Sequence, residues 1–266
     1  MIEEGSFGVL ALLVGGGLAW IAYFFNFFVL KEDEESNYPW VTPSIFAVLI
    51  AFLIYFGVQI LFVVIVQVIN GFNLPTESMM KVGISALSLA VFVLIGFSMS
   101  IRLFSKKPSF SVFKTGFIAW LIAFPLVLGI YNILLSLLEY IVGPQYPLQQ
   151  QDVVRTIQQL EEYPDLFWAF FIVVGFLVPL AEEILFRGFL QRWLCARFKN
   201  RWGVIIASFC FAGLHFSSPQ GLANFVILPS LFILSLFIGF VYLKERSLWA
   251  PIAVHALHNS FSLFMV

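Results

Sequence analysis

Long apolar stretches, separated by short polar ones, set the pattern of this chain. Eight of them stand out, at about 7–30, 43–70, 82–101, 115–142, 166–186, 202–216, 223–243 and 248–266. An α-helix needs roughly 20 apolar residues to cross the ~30 Å hydrocarbon core of a bilayer, and most of these stretches reach that length. In lipid the backbone finds no water to bond, so each stretch must satisfy its own N–H and C=O groups as a helix. The pattern predicts an all-α, polytopic membrane helical bundle of about eight transmembrane helices. No internal repeat or long linker interrupts it, so residues 1–266 are read as a single membrane domain. The sixth stretch is short, at roughly 15 residues. It is expected to stop inside the protein, with the chain re-entering at Ser217-Ser218-Pro219-Gln220-Gly221, where protein or water covers the irregular backbone.

Composition agrees with the pattern. Hydrophobic residues make up 61% of the 266, charged residues only 11%, and the mean hydropathy is +0.98. A soluble domain is nearer half apolar and a quarter charged, and a chain this size cannot hide most of its 33 Phe residues from water. The formal net charge of −1 leaves no basic footprint for nucleic acid. Cys195 and Cys210 form no spaced pair or metal motif and read as small apolar residues. The acidic start, Met1-Ile2-Glu3-Glu4, lacks a basic n-region, so the first stretch reads as a retained helix rather than a cleaved signal peptide.

Charge predicts orientation. With the connections assigned alternately to two sides, one side carries Lys81 and Arg155. The other carries Lys31, Arg102, Lys106, Lys107, Lys114, Arg187, Arg192, Arg197, Lys199, Arg201, Lys244 and Arg246, twelve of the 14 Lys and Arg residues. The positive-inside rule then places both termini on the non-cytoplasmic side; the acidic run Glu32-Asp33-Glu34-Glu35 counts little in it. The longest polar stretch, Pro147 to Pro164, has Val153, Val154, Ile157 and Leu160 at helical spacing. It reads equally as an amphipathic surface helix or as a solvated loop.

The chemistry lies in three fragments: Glu182-Glu183-x-x-x-Arg187, Phe211-x-x-x-His215 and His255-x-x-x-Asn259. Ionisable side chains are expensive within a bilayer, which makes each a functional-site candidate. Glu183 and Arg187 are four apart and share a helix face, while Glu182 points about a hundred degrees away. The spacing predicts a Glu183–Arg187 ion pair and a Glu182 free to face a cavity as a general base. Pro179, just before, is a candidate kink. An imidazole shares a water with a carboxylate readily, and an imidazole with a carboxamide on one helix face can donate to a developing oxyanion. Plainer readings exist for each: a salt bridge at a helix end, and histidines that hydrogen-bond between packed helices. All three histidines, however, lie in the last fifty-two residues. At 1.5 Å per residue, Glu182 lies roughly 24 Å below the start of its span, while His215 and His255 lie roughly 20 Å and 10 Å above the starts of theirs. The three depths allow convergence in one half of the membrane or near its middle.

The ordered set of Glu-Glu-x-x-x-Arg, Phe-x-x-x-His and His-x-x-x-Asn resembles the CPBP family of intramembrane proteases. That family comprises the CAAX prenyl endopeptidases of the Ras-converting type and the bacteriocin-processing or self-immunity proteins. The resemblance covers about Leu166 to Val266, and residues 1–165 carry no family signature. It implies an eight-helix fold, with Glu182 as the water-activating base, His215 assisting, His255 and Asn259 stabilising an oxyanion, and Glu183 and Arg187 supporting. It leaves the cofactor open between none and a divalent metal such as zinc. If a metal is used, Glu182, His215 and His255 are its candidate ligands; the chain lacks His-Glu-x-x-His. His258 has no role in the motif.

The resulting reading is a multi-pass endopeptidase of a bacterial inner membrane. Its partners are the lipid bilayer and a peptide or lipidated protein, of prenylated CAAX type or otherwise membrane-associated. The alternatives are a proton-coupled transporter using Glu182 and the histidines as a relay, and a non-catalytic self-immunity protein. Transporters of the repeat type show paired halves with broken helices, a symmetry missing from this chain.

Overall fold

The computed structural model describes residues 2–30, 41–70, 76–100, 103–104, 107–143, 156–158, 160 and 163–265. The described residues are helical, with no strand. Four long helices come first: α1 (Ile2–Phe24), α2 (Ile45–Asn70), α3 (Thr76–Ser100) and α4 (Phe110–Val142). A longer helical run follows from Pro164 to Leu214, and it is not regular. Two π-helical stretches, Val173–Leu177 and Ile184–Gln191, flank Val178–Glu183, and Lys199 leaves helical geometry altogether (φ 66°, ψ 161°). The chain reverses there, since a Cβ on Gly203 would lie within 2.5–2.8 Å of Cys195. Residues 164–198 are therefore called α5 and residues 200–214 α6. A 3-10 turn, Ser218–Ala223, leads to α7 (Asn224–Glu245), and α8 (Trp249–Phe264) ends the bundle.

The eight helices correspond in order to the eight apolar stretches, with shifted ends. The fourth begins at Phe110 rather than near 115, and the fifth runs on past 186. Six helical segments are long and apolar enough to cross a membrane among the described residues, with Pro164–Leu214 taken as one segment of 51 residues. The 16-residue α8 falls short of that length.

Successive helices alternate in direction. Gly8 meets Asn132 and Ile133 while Gly15 meets Leu126, so α1 and α4 are antiparallel. Phe27 stacks near Phe240 and Lys244 donates to the Val29 carbonyl, so α1 and α7 finish at the same end. Phe171 packs on Phe264 and Gly175 on Ser260, so α5 and α8 are antiparallel. Small residues let these helices approach: a Cβ on Gly129 would lie 2.8 Å from the Gly8 carbonyl, and one on Gly116 would lie 2.8 Å from that of Ala250. Lipid tails offer no hydrophobic drive for such pairing, so close backbone packing supplies it.

The helix ends follow ordinary capping chemistry. The Ser109 hydroxyl accepts from the Val112 N–H at the start of α4, and Gly143, whose φ of 78° suits a residue without a Cβ, follows its end. A tight turn follows α6 at the expected place. His215 closes the helix, Gly221 turns at φ 50°, and the buried Asn224 side chain satisfies the loop. Its Nδ2 donates to the carbonyls of Ser217 and Gly221, both at 2.8 Å, and its Oδ1 accepts from the Ser217 N–H at 3.2 Å. Pro179 stays within helical backbone, directly after the first wide π turn. Of the polar stretch before α5, Val153 and Val154 lie outside the described residues, while Ile157 and Leu160 are buried. Lys31, the acidic run 32–35, Arg102, Lys106 and Arg155 also lie outside them.

Arg187 differs from its expected place. The charge tally put it among the loop cations, but it is 0% exposed and lies inside the bundle, with Arg192 at 4% behind it. Arg192 is held by the Tyr242 hydroxyl at 2.8 Å and the Val41 carbonyl at 3.1 Å.

Candidate active site

The second π stretch sets the site. It lies on the residues just after the paired glutamates, and its wide turns carry the buried positions Ile184 to Phe189 into the bundle, with α2, α3, α6 and α7 around them. π turns of this kind recur at functional sites.

Glu183 and Arg187 are both fully buried, and the Arg187 Nε lies 3.1 Å from Glu183 Oε2 as an ion pair, although it is not aligned as a hydrogen bond. The Arg187 Nη2 donates to Ser235 Oγ at 3.0 Å on α7. Glu183 has a second partner that the spacing of motifs did not foretell: His255 Nδ1 sits 2.8 Å from Glu183 Oε1. A carboxylate only accepts, so Nδ1 carries the proton, and the other ring nitrogen is turned towards Glu182.

Glu182 approaches the other nitrogen of the same ring and remains 14% exposed. His255 Nε2 lies 3.6 Å from its Oε2, and His215 Nε2 lies 3.8 Å from its Oε1. Both separations are too long for a direct hydrogen bond, and Glu182 Oε2 has no hydrogen-bond partner in the protein. The His215 Nδ1 donates to the Phe211 carbonyl at 2.8 Å, since a carbonyl only accepts, and in the neutral ring this leaves Nε2 a bare acceptor. Two imidazoles thus aim their Nε2 atoms at one carboxylate across gaps that a water would bridge.

Phe211 is the plate on which this arrangement rests. It is fully buried; its ring lies 4.7 Å from that of His215, 5.6 Å from that of His255 and 5.0 Å from that of Phe186, with the Arg187 guanidinium 5.2 Å away. Phe211→Ala is expected to cost about 3–5 kcal/mol, whereas Phe209→Ala, 73% exposed on the same helix, should cost far less. Thermal unfolding of both variants in detergent checks this, and equal losses would remove Phe211 from its special position.

The remaining candidates divide. Asn259, one turn after His255, faces α5, with its Nδ2 donating to the Val174 carbonyl at 3.0 Å. That uses one amide hydrogen and leaves the other. His258 faces α4 instead, its ring edge-on to Phe124 at 5.9 Å and its Nδ1 buried without a protein partner. Among the described residues no three His, Cys, Asp or Glu side chains converge as a metal-binding group. Cys195 and Cys210 are free thiols.

Residues 164–261 match the family model described as type II CAAX prenyl endopeptidase Rce1-like. Over these residues the chain is similar to an Rce1-like domain. This domain begins with α5 and ends within α8, and it contains every residue of the three motifs. The match falls on the part of the chain that carries the CPBP resemblance. No curated protein and no solved structure matches the chain.

Proposed function

We propose that the protein is an intramembrane endopeptidase. It hydrolyses a peptide bond in a prenylated CAAX-type or other membrane-associated peptide, using water activated by Glu182. The observation that carries this reading is the half-buried Glu182 carboxylate, with an unbonded oxygen, facing two histidine Nε2 atoms at 3.6 and 3.8 Å. A water in that gap gives one hydrogen to Glu182 and the other to His215 Nε2, which turns its lone pair outward. As the water oxygen attacks the carbonyl carbon, Glu182 takes the proton. The carbonyl oxygen becomes an oxyanion facing His255 and the free amide hydrogen of Asn259. When the C–N bond breaks, the proton held by Glu182 passes to the leaving amine. For His255 to donate, its Nε2 must carry a second proton. His255 and Arg187 then balance Glu182 and Glu183, two charges against two.

The test is cleavage of a panel of prenylated and unprenylated membrane peptides by the purified protein in liposomes. Proton movement without cleavage would transfer the site to the relay reading. Within the same assay, Asn259→Ala is expected to lower the rate about 10²–10³-fold, with a smaller effect on KM. His258→Ala should matter much less than His255→Ala, because His258 points at α4. Equal losses from the two histidine variants would break the assignment.

Orientation belongs to the same proposal. Among the described residues, Lys107, Lys114, Arg197, Lys199, Arg201, Lys244 and Arg246 gather at the end shared by the α5–α6 and α7–α8 turns, which the positive-inside rule makes cytoplasmic. A reporter active only in the cytoplasm, fused after Val266, should be silent. A cysteine placed at Lys107 should resist labelling from outside intact cells. A working fusion, or a labelled cysteine, reverses the topology.

A further inference from the structure

Beneath Glu183, towards the basic end, α5, α6 and α7 close around a polar spot sealed from lipid and solvent. Three side chains reach it: Arg187 and Gln191, both 0% exposed, and Ser208 at 1%. Arg187 Nη1, Gln191 Oε1 and Ser208 Oγ each lack a hydrogen-bond partner in the protein. Their neighbours bring them together. Arg187 touches α7 at Ser235, and Gln191 touches it one turn later, its Nε2 donating to the Gly239 carbonyl at 2.9 Å. On α6, Ser208 lies between Val204 and Phe211, about one turn from each. Val204 and Gln191 both crowd Gly239, at 3.0 and 2.8 Å from where its Cβ would be, while Phe211 lies beside the Arg187 guanidinium. Ser208 therefore shares the α6 face whose neighbouring turns meet Arg187 and Gln191.

We infer that this junction is a binding site for a single water molecule, which accepts from Arg187 Nη1, donates to Gln191 Oε1 and bonds Ser208 Oγ. The chemistry selects water over other small ligands. The Gln191 amide cannot flip, because its oxygen would then face the Gly239 carbonyl, so the site presents a fixed acceptor and a fixed cation together. An anion meets the amide oxygen, and a metal cation meets the guanidinium. An apolar filler strands three buried polar atoms whose desolvation nothing offsets. Water donates and accepts, and three bonds are typical of a buried one. It ties α6 to α5 and α7 directly under the ion pair, away from the water that Glu182 would activate.

The experiment is a structure of the full-length protein in lipid, at a resolution where ordered waters are visible, together with a double-mutant cycle. The expected result is one peak within hydrogen-bond distance of the three atoms. Ser208→Ala and Gln191→Met should each lower the unfolding temperature, and the second change should lower it clearly less once the first is present, because both lose the same water. A Ser208 bonded directly to Gln191 or Arg187, an empty junction, or strictly additive losses overturns the inference. None of these readouts depends on peptide cleavage.

Discussion

Glu182→Gln is expected to yield a folded protein with almost no turnover. The change keeps the side chain's shape and one acceptor oxygen but cannot take a proton from water. Loss of a general base costs about 10²–10⁴ in rate, and the whole reaction proposed here passes through this one carboxylate. Folding should survive, because Glu182 retains solvent contact and makes no hydrogen bond through Oε2. Cleavage by purified variant and wild type in liposomes, alongside their unfolding temperatures, separates the two effects. A Glu182→Gln protein that cleaves at the wild-type rate ends the general-base assignment. One that fails to fold gives Glu182 a structural part instead.

The second large effect is structural. Arg187→Ala should lower both folded yield and activity, because removing one partner of a buried pair strands the other charge at a typical cost of about 3–5 kcal/mol. Here the loss spreads further than the pair. Arg187 also donates to Ser235 on α7 and lies against Phe211 on α6, and its partner Glu183 holds His255 on α8. One substitution thus loosens three helices around the site. Normal thermal stability of Arg187→Ala in detergent would show that the pair contributes little. Arg187→Lys is not a neutral control, since a lysine cannot reproduce the guanidinium's several fixed donors.

Hydropathy alone made the helices legible, because an apolar run in lipid has only one way to satisfy its backbone. The ends were less so: Phe110 starts α4 through the Ser109 cap, a signal weaker than the hydrophobic run behind it. Glu182, Glu183, Arg187, His215 and His255 stood out as costly residues at depth, and helical spacing pointed to the Glu183–Arg187 pair. The contact between Glu183 and His255 could not be read, since spacing within a helix says nothing of which helix lies opposite. Ser235, Gln191 and Ser208 carry no signal either; a lone small polar residue in a membrane helix looks like any packing residue. Arg187 was misplaced for a related reason. Charge counting takes a cation near a helix end to be in the loop, and the helix in fact runs on to residue 198.

The π turns between Ile184 and Gln191 make this segment sensitive to length rather than to composition. Each α-helical residue advances the face by about 100°. Inserting one more residue into the stretch would swing Gln191 and Arg192 away from Gly239 and Tyr242. A screen of single-residue deletions and insertions along α5 should therefore find a sharp forbidden zone there. At Ile172 and Phe176, which face outward, exchange of one bulky apolar residue for another should pass unnoticed. Variation in this helix is open to spelling but closed to frameshifts of register.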